Sequence, residues 1–309
     1  MITTVTLNVA VDKLYLVDEF HVGGVTRVKE CSATAGGKGL NVARVASLLG
    51  EDVLAAGFVG GHSGGYVEEL LKADGVKSSF VHVKGESRTC INIIDRGGKS
   101  TEFLEPGVTV TEKDKNRFLE EYTQAVQKSS VIALSGSMPR GCGPEFYSEL
   151  IQLAKEGGCR VILDTSGENL KQGIKAMPTM IKPNQDEIAA LTGANIKDRD
   201  DAVRAAEKLY DGGIPYVVVS LGKHGAVLVC REGAFEGTPP DVKVVNTVGC
   251  GDSMVAAFAA GFERGYPPEQ ALQFALAVSS ANAMCRQTGF FHPTDLNEIL
   301  SAGKVTKLA

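Results

Sequence analysis

The chain has 309 residues, and its 37 Asp and Glu against 32 Lys and Arg give a formal net charge of −5. This acidic balance argues against general binding to nucleic acid or to an anionic membrane surface, and 43% hydrophobic with 22% charged residues excludes wholesale disorder. Seven scattered cysteines, without a C-x-x-C pair or a basic and apolar leader at the start, predict a reduced, cytoplasmic protein. Glycine is the exception in an ordinary composition, since there are 36 of them in 309 residues, above the usual ~7%.

Hydrophobic runs of strand length alternate with amphipathic segments of helix length along the chain. The predicted strands are Ile2–Val9, Val53–Val59, Val131–Ser135, Val161–Asp164, Tyr216–Ser220 and Ala226–Cys230. The predicted helices are Leu40–Leu49, Tyr66–Ala73, Glu112–Gln127, Glu145–Lys155, Asp186–Leu191, Asp201–Tyr210, Ser253–Glu263 and Glu269–Cys285. This alternation predicts an α/β fold with a mostly parallel, covered sheet. No segment is long and apolar enough to predict a membrane span.

Two segments interrupt this alternation. Leu14–Ser32 and Ser87–Phe103 each have the pattern of consecutive short strands with polar faces. We expect them to pair as a small sheet outside the main layer. Because no linker composition separates them from the remainder, the sequence predicts one domain over residues 1–309.

The first glycine cluster, residues 36–41 (Gly-Gly-Lys-Gly-Leu-Asn), opens a predicted amphipathic helix. It is not a Walker A loop, because Gly39 stands where that loop needs Ser or Thr. Backbone amides and the helix dipole at such a turn favour an anion or a polar ligand, and Lys38 and Asn41 add a charge and hydrogen bonds. The alternative is a tight turn that needs glycine only for positive φ angles.

The second cluster, residues 245–254 (Val-Asn-Thr-Val-Gly-Cys-Gly-Asp-Ser-Met), contains the start of a long apolar helix. Met254 at the third glycine position excludes a dinucleotide fingerprint. The amides expected to converge on an anion here are those of Gly249, Cys250, Gly251 and Asp252. The carboxylate of Asp252 beside that anion suits a base that deprotonates a hydroxyl group during phosphoryl transfer. The alternative is an ordinary acidic residue in a first helical turn.

The third cluster, residues 61–65 (Gly-His-Ser-Gly-Gly), matches the G-x-S-x-G pattern of a hydrolase nucleophile elbow. Ser63, Asp164 and His292 follow in the order of a hydrolase triad. No H-G-G-G-like segment for an oxyanion hole is present. A serine hydrolase is therefore the remote alternative, beside a simple turn of small residues.

The first two clusters together resemble the two signatures of the phosphofructokinase B family of ribokinase-like carbohydrate kinases. In that family the early segment holds the sugar and the late one carries the catalytic aspartate. The resemblance covers nearly the whole chain and implies a ribokinase-like three-layer sandwich with a small β-strand lid, contributed by about residues 13–33 and 86–104. It also implies ATP and Mg²⁺ as cofactors, allows a monovalent cation, and suggests a homodimer formed through the lid.

Shorter segments resemble further motifs of the family and imply roles for single residues. The residues implied in sugar binding are Asp12, Gly37, Lys38, Asn41 and Ser137. The residues implied in nucleotide binding are Lys182, Asn184, Ser220, Gly222, Gly225 and Asn282. Asn184 and Glu187 belong to a K-P-N-x-x-E segment associated with magnesium, directly or through water.

Charge at the expected lid bears on the acceptor. A free sugar needs only neutral and carboxylate partners, whereas a sugar phosphate needs cations, and a guanidinium binds phosphate bidentately. Arg88, Lys38 and Arg27 lie on or beside the lid, and with Ser137 they could form a phosphate pocket. The strand from Arg88 resembles that of tagatose-6-phosphate kinases and 1-phosphofructokinases. The resemblance favours tagatose-6-phosphate as acceptor, with fructose-1-phosphate as the alternative; exposed lid charges are the simpler interpretation of Arg27 and Arg88.

Two positions depart from the family pattern. Asn246 stands where an acid is usual, as in many hexose-phosphate members, and Cys250 replaces the commoner alanine of the anion hole. A helix N-terminus lowers a thiol pKa, but a small space-filling residue is the simpler interpretation of Cys250. A sensor that binds sugar and nucleotide without turnover is a further alternative, against which the retained Asp252 argues.

Overall fold

The computed structural model describes residues 1–308 of the chain. Its strands are β1 (Ile2–Thr6), β2 (Ala10–Leu16), β3 (Glu30–Gly36), β4 (Val53–Gly60), β5 (Lys77–Val83), β6 (Arg88–Ile94), β7 (Ser100–Leu104), β8 (Val131–Ser135), β9 (Arg160–Asp164), β10 (Met180–Ile181), β11 (Tyr216–Ser220), β12 (Ala226–Cys230), β13 (Gly233–Thr238) and β14 (Lys304–Lys307). Its α-helices are α1 (Lys38–Leu48), α2 (Gly61–Ala73), α3 (Glu112–Val126), α4 (Phe146–Glu156), α5 (Gly167–Gly173), α6 (Gln185–Thr192), α7 (Arg199–Asp211), α8 (Cys250–Glu263), α9 (Pro268–Ala283) and α10 (Leu296–Ala302).

The main sheet contains ten strands in the order β14-β13-β12-β11-β10-β9-β8-β1-β4-β5. The seven strands from β11 to β5 in this order are parallel. At the other edge β12, β13 and β14 each pair antiparallel with their neighbour. All parallel strands therefore end at the same edge of the sheet, where α/β folds place their ligands.

Helices cover both faces of this sheet. Strand β8 illustrates the consequence, because its side chains are buried on both sides. Val131 and Ala133 join the core beneath α1, α2, α8, α9 and α10, whereas Ile132 and Leu134 join the core beneath α3, α4, α5, α6 and α7. Since successive side chains of a strand point to opposite faces, a strand buried on both faces has to be a continuous apolar run. The result is the three-layer sandwich that the family resemblance implies.

A second sheet of four strands has the order β3-β2-β6-β7. Its central strands β2 and β6 run parallel, while β3 and β7 pair antiparallel at the edges. Its strands are half-buried or exposed along most of their length, in contrast to the fully buried β1 and β8. We call this four-stranded sheet the lid sheet.

The predicted α/β class and the extra sheet are confirmed, but several boundaries differ. The predicted strand Ile2–Val9 ends at Thr6, and the chain bends before β2 begins at Ala10. Of the predicted lid segment Leu14–Ser32, residues 17–29 form a loop between β2 and β3. The unpredicted elements are short or lie at the sheet edges: β5, β10, β13, β14, α5 and α10.

The sequence predicts no membrane-spanning segment. Among the helices of residues 1–308, none combines the length and the apolar character that a membrane crossing requires.

Candidate active site

A cavity of about 600 Å³ lies between the lid sheet and the carboxyl ends of the parallel strands. Asp164 and Ser220, the last residues of β9 and β11, line it from below, and Asp12, Cys90 and Glu102 line it from the lid sheet. The volume lies in the range of small-molecule sites, roughly 300–1,000 Å³. The two glycine clusters that the sequence singles out both open onto this cavity.

The first cluster is the turn from β3 into α1, and two of its glycines are required there, one by its backbone conformation and one by a close side-chain contact. Gly37 has φ 107° and is the N-cap of α1, a conformation that disfavours other residues. A Cβ atom on Gly36 would lie 2.1 Å from Cγ of Asp12, so glycine lets the Asp12 carboxyl group pack against the turn. Burial raises the pKa of Asp12, and the Arg88 guanidinium opposes that shift.

The second cluster forms the N-terminus of α8. Gly249 is the N-cap, with φ 83°, and a Cβ atom there would lie 2.8 Å from the amide nitrogen of Gly289. Within residues 1–308, the backbone amides of Gly251 and Asp252 have no hydrogen-bond acceptor. Free amides at the positive end of a helix dipole form a site for an anion.

Asp252 is a buried carboxyl group directly beside these amides, with 7% of its surface exposed. Its Oδ2 accepts a 2.8 Å hydrogen bond from Nδ2 of Asn41 in α1. Burial raises the pKa of Asp252 from 3.8 to about 6, against the opposing effects of Lys38, Asn41 and Lys182. A carboxyl group with this pKa is ionised at neutral pH and able to take up a proton.

Two lysines and one aspartate form a charge cluster at the floor of the cavity. Nζ of Lys38 and Nζ of Lys182 each lie 3.4 Å from a different oxygen of Asp164. The Asp164 carboxylate raises the pKa of Lys38. A Cβ atom on Gly251 would lie 3.3 Å from Nζ of Lys182, so this buried ammonium group faces the anion site.

Asp164 is a site residue that the sequence reasoning missed, apart from its place in the hydrolase alternative. The sequence contains a feature that indicates this role: Asp164 is an acid at the carboxyl end of a predicted parallel strand. Such residues lie at the edge of the sheet where ligands bind. Arg44 was also missed, and its position three residues after Asn41 in an amphipathic helix carries no distinguishing signal.

The cationic pocket predicted from the lid is partly assembled. The Arg88 guanidinium, at the start of β6, donates to the backbone oxygens of Asn8 and Glu105 at 3.1–3.5 Å. Nδ2 of Asn8 donates to Oγ of Ser137 at 3.3 Å, so Asn8 connects Arg88 with Ser137. Arg27 does not join them, because it is exposed on the loop after β2 and does not line the cavity.

The predicted nucleotide segment lies beside the floor of the cavity. Asn184 is the N-cap of α6 and forms a capping box with Glu187, with both reciprocal hydrogen bonds at 2.8 Å. Lys182, Asn184, Glu187 and Ser220 line the cavity, whereas Gly222 and Gly225 lie in the turn after β11 and outside its lining. The capping box gives Asn184 and Glu187 a structural role at the start of α6. It uses only one of the two carboxylate oxygens of Glu187.

Asn282 lies beneath the second cluster rather than at the cavity. Its side chain is fully buried, donates to the backbone oxygen of Val248 at 3.1 Å and accepts from the amide of Phe290 at 3.2 Å. Asn282 thus supports the loop that presents Gly249. Burial raises the pKa of the neighbouring Cys250 thiol, which agrees with a space-filling residue rather than a nucleophile.

The structure does not assemble the hydrolase triad. Ser63 lies in the first turn of α2, where the backbone amides of His62 and Ser63 donate to the Glu86 carboxylate at 3.2 and 3.0 Å. Asp164 contacts lysines and His292 is exposed. Within residues 1–308, no hydrogen bond joins Ser63, Asp164 and His292.

The raised pKa of Asp252 predicts a pH-dependent gain in stability for Asp252→Asn. Because the folded protein binds this proton more tightly than the unfolded chain, the wild type loses stability as pH rises from about 4 through 6, and the variant lacks that loss. The difference in free energy of unfolding, variant minus wild type, should grow by about 2 kcal/mol between pH 4 and pH 7.5. Urea unfolding at both pH values measures it, and a constant difference would contradict the raised pKa.

The chain is similar to characterised proteins over its whole length. Residues 5–295 match the family described as pfkB family carbohydrate kinase. Tagatose-6-phosphate kinase of Staphylococcus epidermidis is 39% identical and 1-phosphofructokinase of Bacillus subtilis is 35% identical, and each match covers 100% of both chains. Phosphofructokinase-2 of Escherichia coli in complex with potassium superposes with a TM-score of 0.90 and 30% identity, covering 97% of this chain and 98% of that one.

The family match includes both glycine clusters and every strand of the lid sheet. The structural match, over 97% of the chain, agrees with the mostly parallel main sheet and its flanking helices. The resemblance first drawn from two short motifs is thereby confirmed, and the chain belongs to the pfkB family of carbohydrate kinases.

Proposed function

We propose that the protein transfers the γ-phosphoryl group of ATP to the primary hydroxyl of a ketohexose phosphate, with tagatose-6-phosphate as acceptor. The observation that carries this function is the buried Asp252 carboxylate beside the free amides of Gly251 and Asp252. The 39% identical tagatose-6-phosphate kinase supports this acceptor. Fructose-1-phosphate is the alternative acceptor, favoured by the 35% identical 1-phosphofructokinase.

Asp252 acts as the general base in this reaction. Its pKa of about 6 keeps the carboxylate ionised at neutral pH and close to the value at which proton transfer is effective. The amides at the start of α8 and the Lys182 ammonium group lie where negative charge develops on the transferring group, and Lys38 extends this positive field.

The nucleotide lies, in this proposal, along the ends of β10 and β11, near Lys182, Asn184 and Ser220. Mg²⁺ binds through few protein ligands, keeps several waters and takes substrate phosphate oxygens. Glu187 fits that donor set, because it lines the cavity and its second carboxylate oxygen is not used in the capping box. Bound there, the ion would neutralise charge on the phosphate oxygens.

Arg88 and Ser137 form the pocket for the phosphate that the acceptor already carries. Three of the five N–H groups of Arg88 donate to backbone oxygens, which fixes the guanidinium plane and leaves two for a phosphate. Asn8 links this guanidinium to Ser137, so both donors are held on one wall of the cavity.

The whole chain acts, in this proposal, as one kinase domain whose lid sheet closes over the acceptor and excludes water. The exposed apolar residues on and beside this sheet suit pairing with the lid of a second copy: Val22, Val25, Phe103 and Leu104.

The proposed location is the cytoplasm. All seven cysteines are free thiols, which is compatible with a reducing compartment.

A panel of acceptors tests this function directly. ADP release from Mg-ATP is measured with tagatose-6-phosphate, fructose-1-phosphate, fructose-6-phosphate and unphosphorylated hexoses, and a reaction without acceptor gives the rate of ATP hydrolysis alone. We expect kcat/KM to be highest for tagatose-6-phosphate and lowest for the free sugars. Activity confined to free sugars would overturn the phosphate pocket, and no acceptor-dependent release would overturn the kinase.

Arg88→Ala tests the pocket itself. Loss of charge-assisted hydrogen bonds to the phosphate, worth about 1.5–3 kcal/mol, should raise KM for the sugar phosphate roughly 10- to 100-fold and leave KM for ATP nearly unchanged. Arg96→Ala, an exposed arginine in the turn between β6 and β7, is the matched control and should change neither constant. An unchanged KM for the sugar phosphate would remove Arg88 from the pocket.

A further inference from the structure

Arg44 is among the most deeply buried large side chains of the protein, with only 2% of its surface exposed, and the reaction as described makes no use of it. It lies in α1, one helical turn after Asn41. A buried guanidinium is costly unless each of its faces is paired, so its partners indicate what it stabilises.

Four segments of the chain accept hydrogen bonds from this one guanidinium. Nε donates to Oδ2 of Asp74 at the end of α2 at 2.7 Å, and Nη2 donates to the backbone oxygen of Ala35 at the end of β3 at 2.6 Å. Nη1 donates to Oδ1 of Asn41 at 3.1 Å and to the backbone oxygen of Thr288 at 3.3 Å. The Asp74 carboxylate, 27% exposed, supplies the compensating charge.

The bond to Asn41 determines how that side chain is oriented. A guanidinium only donates hydrogen bonds, so the Asn41 atom that faces it is the carbonyl oxygen. The amide nitrogen of Asn41 therefore points to Oδ2 of Asp252, to which it donates at 2.8 Å. The hydrogen bond from Arg44 to Oδ1 also polarises the Asn41 amide. This polarisation strengthens the hydrogen bond that Asn41 donates to the Asp252 carboxylate.

The second acceptor on Nη1 connects the same guanidinium to the anion site. Thr288 and Gly289 pack directly against Gly249, since a Cβ atom on Gly249 would lie 2.8 Å from both the Gly289 nitrogen and Cγ2 of Thr288. Arg44 thus contacts both the residue that orients the base and the segment that supports the helix N-terminus beside it.

We propose that Arg44, anchored by Asp74, is a positioning residue that locks the Asn41 amide so that Asp252 presents its other oxygen, Oδ1, to the acceptor hydroxyl. This inference rests on the proposed role of Asp252 as general base. It also reassigns Asn41, expected from its motif to bind the sugar, to the orientation of the base.

The alternative is that Arg44 only holds four segments of the fold together, and the two roles differ in one measurable respect. A positioning role acts through Asn41, so that removing Arg44 weakens the hydrogen bond to Asp252 and raises the pKa at which Asp252 titrates. The charged groups that act directly on Asp252 are Lys38, Asp164 and Lys182, and all three remain in place in the variants below.

The experiment is a double-mutant cycle of Arg44→Met and Asn41→Leu, with the Asp252 carboxyl carbon followed by ¹³C NMR across pH and assigned by comparison with Asp252→Asn. We expect Arg44→Met to raise the titration midpoint by about half to one pH unit. Arg44→Met in the Asn41→Leu background should add no further shift, because the connecting amide is gone. An equal shift in both backgrounds would show a plain charge effect and overturn the proposal.

Two further variants keep the test interpretable. Arg264→Met removes a matched arginine that donates to Glu51 and to the backbone oxygen of Leu49, at the opposite end of α8 from Asp252. It should lower stability and leave the Asp252 midpoint unchanged. If Arg44→Met does not fold, Arg44→Lys keeps the charge and the aliphatic stem but not the fork of donors, and should shift the midpoint in the same direction.

Activity measured on the same proteins separates this proposal from the function it rests on. We expect Arg44→Met to lower kcat about 10- to 100-fold with KM for both substrates nearly unchanged, and to move the acid limb of kcat/KM to higher pH. A wild type without acceptor-dependent turnover would overturn the kinase function, while the NMR cycle would still decide whether Arg44 orients Asn41. A wild type that turns over and an unshifted Arg44→Met would overturn the positioning role alone.

Discussion

The site depends on keeping one carboxylate ionised in a place from which water is largely excluded. Burial raises the pKa of Asp252, and the pKa is about 6 rather than higher because Lys38, Lys182 and a hydrogen bond favour the charged form. Lys38 and Lys182 supply the charges and Asn41 supplies the hydrogen bond. The same lysines are held by Asp164, so the proposed base and the cations proposed to bind the phosphoryl group belong to one network.

Individual glycines and cations at the cavity matter more for the site than the total glycine content or the net charge of the chain. Gly36 makes room for the Asp12 carboxyl group, and Gly249 adopts a left-handed conformation against a neighbouring backbone segment. At both places the chain presents backbone amides or close contacts that a side chain would block. A net charge of −5 does not prevent binding of a small phosphate, because Lys38, Lys182 and Arg88 line one cavity beside free backbone amides.

Fold class and motif positions followed from sequence because they depend on local pattern. Alternating apolar runs such as Val131–Ser135 predicted the parallel sheet, and the two glycine clusters predicted helix N-termini at one site. What sequence could not supply were contacts between distant segments. Nothing near Arg44 indicates that it reaches Asp74 and Thr288, or that Asn41 lies against Asp252 211 residues later. Short edge strands such as β14 were missed because their pairing, not their composition, defines them.

The proposed mechanism depends on the carboxylate of Asp252, and the turnover of Asp252→Asn tests this dependence most directly. The substitution keeps the size and one hydrogen-bond acceptor of the side chain but removes the base. With ATP and sugar phosphate both saturating, kcat should fall by orders of magnitude, on the scale of roughly 10²–10⁴ for general-base catalysis, while both substrates still bind. Turnover within a few-fold of the wild type would show that another group takes the proton and would contradict the mechanism.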